Sequence, residues 1–156
     1  MIRLSWFISL GISLLGFLII GNFFTIQPEE PVSNGSLGWI GIILVLPFLL
    51  LSIFITFRYI LTLTRTATDR LMKSLSIVAG VLLIGVLIFF SLDYKNDILA
   101  ALDESSVGLI FPKLNEYTYT IYFNFYTFAL IHTIIGVIAA VVGALNPGMK
   151  KEELPE

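Results

Sequence analysis

The stretch Trp39–Phe57, WIGIILVLPFLLLSIFITF, contains 19 consecutive residues without a charge. Wound as a helix at 1.5 Å per residue it reaches about 28 Å, close to the roughly 30 Å of hydrocarbon in a bilayer. Its interior does not alternate. Residues 43 to 51 read ILVLPFLLL, apolar on both parities, whereas a barrel strand would alternate apolar and polar over about ten residues. A membrane-crossing helix is the reading that remains, with Pro47 expected to kink it or loosen one turn. Such a kink either shapes the bundle or marks a moving part.

Three further runs of the same kind lie on either side: Leu4 to Ile26, Leu75 to Leu92, and Thr118 to Leu145. None contains Asp, Glu, Lys or Arg, and the last is long enough to tilt or to protrude. The expected fold is therefore all-α, an integral membrane four-helix bundle with short loops, forming a single transmembrane domain over residues 1–156. The first run is expected to remain as an anchor. It exceeds the 7 to 15 residues of a signal-peptide core, and no Ala-x-Ala-like cleavage site follows it.

Composition points the same way. The chain of 156 residues is 57% hydrophobic and 13% charged, and its mean hydropathy is +0.95. A soluble domain of this length leaves about a third of its unfolded surface exposed, so the surplus Leu, Ile and Phe needs a second apolar phase, a lipid bilayer, to cover it. The small net charge of -2 argues against a nucleic-acid binder, which needs a clustered basic face. With no cysteine there is no disulfide, thiolate nucleophile or thiolate metal site. Freedom from cysteine and richness in Ile, Leu and Phe suit a small bacterial protein of the plasma (inner) membrane.

Orientation is read from the basic residues. Arg3, then Arg58, Arg65, Arg70 and Lys73, then Lys150 and Lys151 fall in the N-terminal stub, the central loop and the C-terminal tail. The other two loops hold Lys95 and Lys113 among seven acidic residues. Basic residues in short loops are retained on the cytoplasmic side, so both termini are expected there. Four spans require the ends to share a side, which agrees independently.

Between Ser52 and Ala79 there is neither Gly nor Pro, so the second and third helices are expected to extend past the bilayer as a hairpin. Arg58, Thr62 and Arg65 share one face of it, and Asp69 stands four residues from both Arg65 and Lys73, the spacing of helix-surface ion pairs. This basic face serves topology and attraction to anionic lipid heads, or docks a cytoplasmic partner. Residues 27–38, QPEEPVSNGSLG, form an outer turn, in which Asn34-Gly-Ser36 matches a glycosylation acceptor by chance. The second outer segment, Asp93 to Tyr117, places Ile98, Leu99 and Leu102 at helical spacing among acids, an amphipathic helix expected to lie as a lid at the outer interface or to recognise something arriving from outside.

Within the spans the only histidine, and the only side chain of a type that ionises near neutral pH, is His132. It shares a helical face with Ala129, Gly136, Ala140 and Gly143, so a neighbouring helix is expected to approach it closely. Ser9, Ser13, Asn22 and Ser76 are the candidate partners. Ser9-x-x-x-Ser13 with Gly16, and Ser76-x-x-x-Gly80, extend the small-residue packing pattern to two more spans. Three readings of His132 follow: a packed polar contact, a proton or ligand site with Asn124 and Thr127 along a polar path, or a metal ligand. A metal lacks the second His, Cys or buried carboxylate that would complete its shell. Tyrosines from Tyr117 to Tyr126, with Trp6 and Trp39, are expected to anchor helices at headgroup level.

No nucleophile elbow, phosphate-cradling loop or zinc-protease motif is present, and no cofactor is called for. The function expected is non-enzymatic contact, as an accessory subunit or a protective, immunity-like protein, with a membrane protein or a second copy as partner and no nucleic acid. The alternative is an oligomeric transporter or channel.

Overall fold

A computed structural model describes residues 2–23, 38–101 and 121–146 of the chain. Their architecture is all-α, a bundle of four long helices with no strand among the described residues. These are α1 (Ile2–Phe23), α2 (Gly38–Thr66), α3 (Arg70–Ala101) and α4 (Phe125–Leu145). Each is long and apolar enough to cross a membrane. In hydrocarbon no water is available to the backbone, so every N–H and C=O must be satisfied within the segment, and a helix does this locally.

Their lengths differ in a telling way. The 21 residues of α4 span about 32 Å, one bilayer thickness, while the 29 of α2 and 32 of α3 reach about 44 and 48 Å. The surplus of α2 and the start of α3 meet as the expected hairpin, joined through residues 67–69. Here one expectation is corrected. Asp69 lies outside both helices, so it does not sit at helix spacing from Arg65; its carboxylate Oδ1 instead accepts from the Leu71 N–H at 2.8 Å and caps α3. At its other end α3 continues through Asp93, Asp97 and Ala101. The first turns of the expected amphipathic lid are thus an extension of the third span, with Ile98 and Leu99 packed on buried Ile121. The rest of that segment, the 27–37 turn, and Tyr117, Tyr119, Lys150 and Lys151 lie outside the described residues.

The helix α4 begins at Phe125, inside the run expected from Thr118, whose residues 118–120 lie outside those described. Asn124 is the cause. Its backbone is extended, with φ -132° and ψ 170°, and its side-chain oxygen accepts from the Thr127 N–H at 3.0 Å. The same amide donates from Nδ2 to the carbonyl of Ile121 at 2.6 Å. One side chain therefore closes the helix on either side of a break.

Contacts between elements place α2 and α4 at the centre, α1 against α2, and α3 against α4, with α1 touching α4 more lightly. Register fixes the directions. Gly16 meets Val45 and Trp6 meets Thr56, so α1 and α2 are antiparallel. Ser52 meets His132 and Thr64 meets Gly143, so α2 and α4 are parallel. Gly80 meets Val137 and Phe90 meets Tyr126, so α3 runs against α4. Arg3, Arg65, Arg70 and Lys73 consequently gather at one end of the bundle.

The core is small: Phe17, Ile20, Val45 and Phe128 are buried together. Far more apolar surface faces outward, including Leu44, Leu71, Leu82 and Phe89, which is the distribution expected where lipid is the solvent. Apolar burial then provides little drive between helices, and close packing and polar contacts hold them.

Candidate functional site

Several hydroxyls within the spans are closed onto their own helix. Thr62, Thr64 and Thr133 donate to the carbonyls of Arg58, Ile60 and Ala129, and Ser9 donates to that of Trp6. Such back-bonding removes the cost of a bare polar group in hydrocarbon. Ser13 is a buried exception. It is fully buried, and its hydroxyl has no partner among the described residues.

His132 is buried, 7% exposed, and bridges two helices. Its Nδ1 lies 2.9 Å from the carbonyl oxygen of Phe128, one turn earlier in α4. That oxygen can only accept, so Nδ1 carries the proton and donates. The neutral ring then leaves a lone pair on Nε2, which lies 2.8 Å from Oγ of Ser52 in α2. Ser52 is wholly buried and has one proton with two acceptors in reach, this nitrogen and the Leu49 carbonyl at 3.1 Å. The shorter contact assigns the proton to the imidazole. The Phe128 ring packs on the histidine at 4.2 Å between centroids.

Sequence reasoning placed His132 against a neighbouring helix but named the wrong partners. Ser9 bonds within α1, Asn22 donates to Leu18, and Ser76 lies on the crevice described below. Ser52 carried one weak signal, a lone serine in an apolar run. Asn124 and Thr127 do meet, but as cap and capped N–H; eight residues, about 12 Å of helix, separate Asn124 from His132, with Phe128 between. The three do not form one file.

The small residues act at three seams. A Cβ at Gly16 would lie 2.8 Å from Val45 Cγ1, at Gly80 2.5 Å from Val137 Cγ2, and at Gly143 2.9 Å from Thr64 Cβ. Gly16 thus seats α1 on α2, Gly80 seats α3 on α4, and Gly143 seats α4 on α2. Ala140 is buried beside them, while Ala129 and Gly136 are half-buried. Gly21, which spacing did not single out, lies against the Phe123 carbonyl at the helix break. The basic face is as exposed as expected at Arg58, Arg65 and Arg70, with Lys73 half-buried.

Trp6 departs from its expected anchoring role. Its indole N–H points into the bundle, donating to Thr56 Oγ1 at 3.0 Å, and its ring stacks on Tyr59 at 4.5 Å. The side chain of Trp39 lies outside those described. Tyr126 joins Phe90 and Tyr94 in an aromatic seam between α3 and α4, while Tyr122 is exposed.

Beside His132 a crevice of about 260 Å³ is walled by all four helices, through Trp6, Thr56, Ser76, Gly80, Thr133 and Gly136 among others. No group of three or more metal-ligating side chains occurs among the described residues. Comparison with protein-family models, with curated proteins and with solved structures found no match.

The Ser52–His132 bond has a measurable worth. Ser52→Ala is expected to lower stability by about 0.6–1.7 kcal/mol, the range for interhelical hydrogen bonds in membranes, in reversible unfolding from bicelles. Imidazole nitrogen shifts should report a neutral ring protonated at Nδ1. A ring protonated at Nε2 would contradict the assigned network.

Proposed function

We propose that this chain is a multi-pass protein of the plasma (inner) membrane, both termini cytoplasmic, that works by contact with another membrane protein. Its role is that of an accessory subunit or of a protective, immunity-like protein that intercepts a membrane-active factor. One observation carries this reading. His132, the one side chain within the apolar runs that belongs to a type ionising near neutral pH, has both ring nitrogens engaged inside the bundle, on Phe128 and Ser52. A group so held stabilises the scaffold and leaves the outer surfaces to act. The gathering of Arg3, Arg65, Arg70 and Lys73 at one end supports a cytoplasmic placement for that end.

Mild solubilisation at native expression levels, followed by affinity capture through a C-terminal tag, should recover a stoichiometric membrane-protein partner. Repeated recovery of the chain alone would count decisively against the proposal. Reporter fusions at either terminus should be active only in the cytoplasm.

The crevice beside His132 favours a second reading, an oligomeric transporter or channel with that wall as part of its path. Reconstituted vesicles separate the two. Transport predicts a flux that falls on His132→Ala, and contact function predicts no flux in either protein.

A further inference from the structure

We infer that the four-helix crevice is a binding site for one anionic glycerophospholipid, an acyl chain lying in the cavity and the phosphate held by Arg3 and Lys73. The cavity of about 260 Å³ lies where α1 and α3, which make no close seam with each other, both flank the central pair. An occupant there would join the two outer helices.

The chemistry of the wall selects the occupant. Much of it is apolar, from Leu10, Ile60 and Val137. Its polar groups are mostly committed: His132 to Phe128 and Ser52, Thr133 to Ala129, and the Trp6 N–H to Thr56. Two hydroxyl protons are left. Thr56, 2% exposed, accepts from Trp6, but its own O–H meets no acceptor among the described residues. Ser76 likewise has no hydrogen-bond partner among the described residues. The site thus offers donors and no carboxylate. It suits a ligand whose buried polar atoms only accept, as ester carbonyls do.

Charge towards the basic end completes the match. Arg3 precedes Trp6 by three residues and Lys73 precedes Ser76 by three, so each cation shares a helical face with a wall residue and lies about 4.5 Å further towards the basic end. Neither has an acidic partner among the described residues, and the nearby Asp69 carboxylate is engaged in capping α3. Apolar wall, unengaged hydroxyls and two cations towards the basic end together offer the chemistry that an acyl chain, its glycerol ester and its phosphate require. This geometry is distinct from the general attraction of a basic face to a charged membrane, because it has a depth and a stoichiometry.

The test is native mass spectrometry of the full-length protein, titrated with dipalmitoyl phosphatidylglycerol or phosphatidylcholine. Wild type should retain one phosphatidylglycerol, with a preference of roughly 25-fold over phosphatidylcholine if both cations contribute as basic residues do near a bilayer. Gly136→Phe fills the cavity, since a Cβ there meets nothing closer than Ile60 at 4.0 Å, and should abolish retention. The double substitution Arg3→Ala, Lys73→Ala alters only exposed or half-exposed positions. It should erase the preference while leaving one lipid of either kind bound. Glycerol 3-phosphate should not compete, which separates a lipid from a free anion. Equal retention of both lipids by wild type, a folded Gly136→Phe that keeps its lipid, or displacement by glycerol 3-phosphate would each overturn the inference. Should Gly136→Phe not fold, an unchanged preference in the double variant would overturn it by itself.

Discussion

Replacing Asn124 by alanine is expected to destabilise the bundle by about 1.5–5 kcal/mol. Two losses add. The Thr127 N–H loses its cap, about 0.5–2 kcal/mol at a helix N-terminus, and the Ile121 carbonyl loses its donor at a buried position, about 1–3 kcal/mol. Asn124→Ser separates them, because a hydroxyl oxygen still caps Thr127 but does not reach back as the amide does. Reversible unfolding in mixed micelles should rank wild type above Asn124→Ser above Asn124→Ala. Equal stability of all three would show that the break before α4 does not depend on this side chain.

Gly143→Val is expected to cost about 1–3 kcal/mol, the range for overpacking a close seam. The Cβ alone would approach Thr64 Cβ at 2.9 Å and the Leu61 carbonyl oxygen at 3.2 Å, and backbone cannot turn aside as a side chain can. Gly136→Ala is the matched control on the same helix face. Its Cβ has 4.0 Å to Ile60, so the gain of up to about 1 kcal/mol for Ala over Gly in a helix should appear undiminished. Thermal unfolding in a single detergent should move the two variants in opposite directions. A Gly143→Val protein as stable as wild type would mean that α2 and α4 do not meet where the structure places them.

The same two positions show how far sequence spacing reaches. His132, Gly136 and Gly143 share a face at 100° per residue, and spacing identified that face as the one turned to another helix. It could not grade them, because the room beyond each Cα belongs to a different helix: Thr64 and Leu61 crowd Gly143, while Ile60 leaves Gly136 open. Ser52 was passed over for a related reason. A serine in an apolar run looks the same whether it bonds only a carbonyl of its own helix, as Ser9 does with Trp6, or also meets a histidine 80 residues away. Asn124 was read as part of a polar path because an amide inside an uncharged run has no local mark distinguishing a cap from a lining residue. Trp6 was read as an anchor because interfacial tryptophans are common, and only the position of Thr56 turns its N–H inward.

What the chain's own order of residues determined is the presence of four apolar helices, their approximate limits, the helical hairpin around residues 67–69, and the gathering of cations at one end. These follow from sums over neighbouring residues: hydropathy, run length and charge are local quantities, and a bilayer responds to them segment by segment. Tertiary structure alone decided which helix lies between which, that Ser52 meets His132, and where the crevice opens. In water a helix advertises its buried face by a stripe of apolar residues; in lipid the surroundings are as apolar as the core, so that stripe disappears and the pairing rests on a few small and polar residues whose partners lie far along the chain.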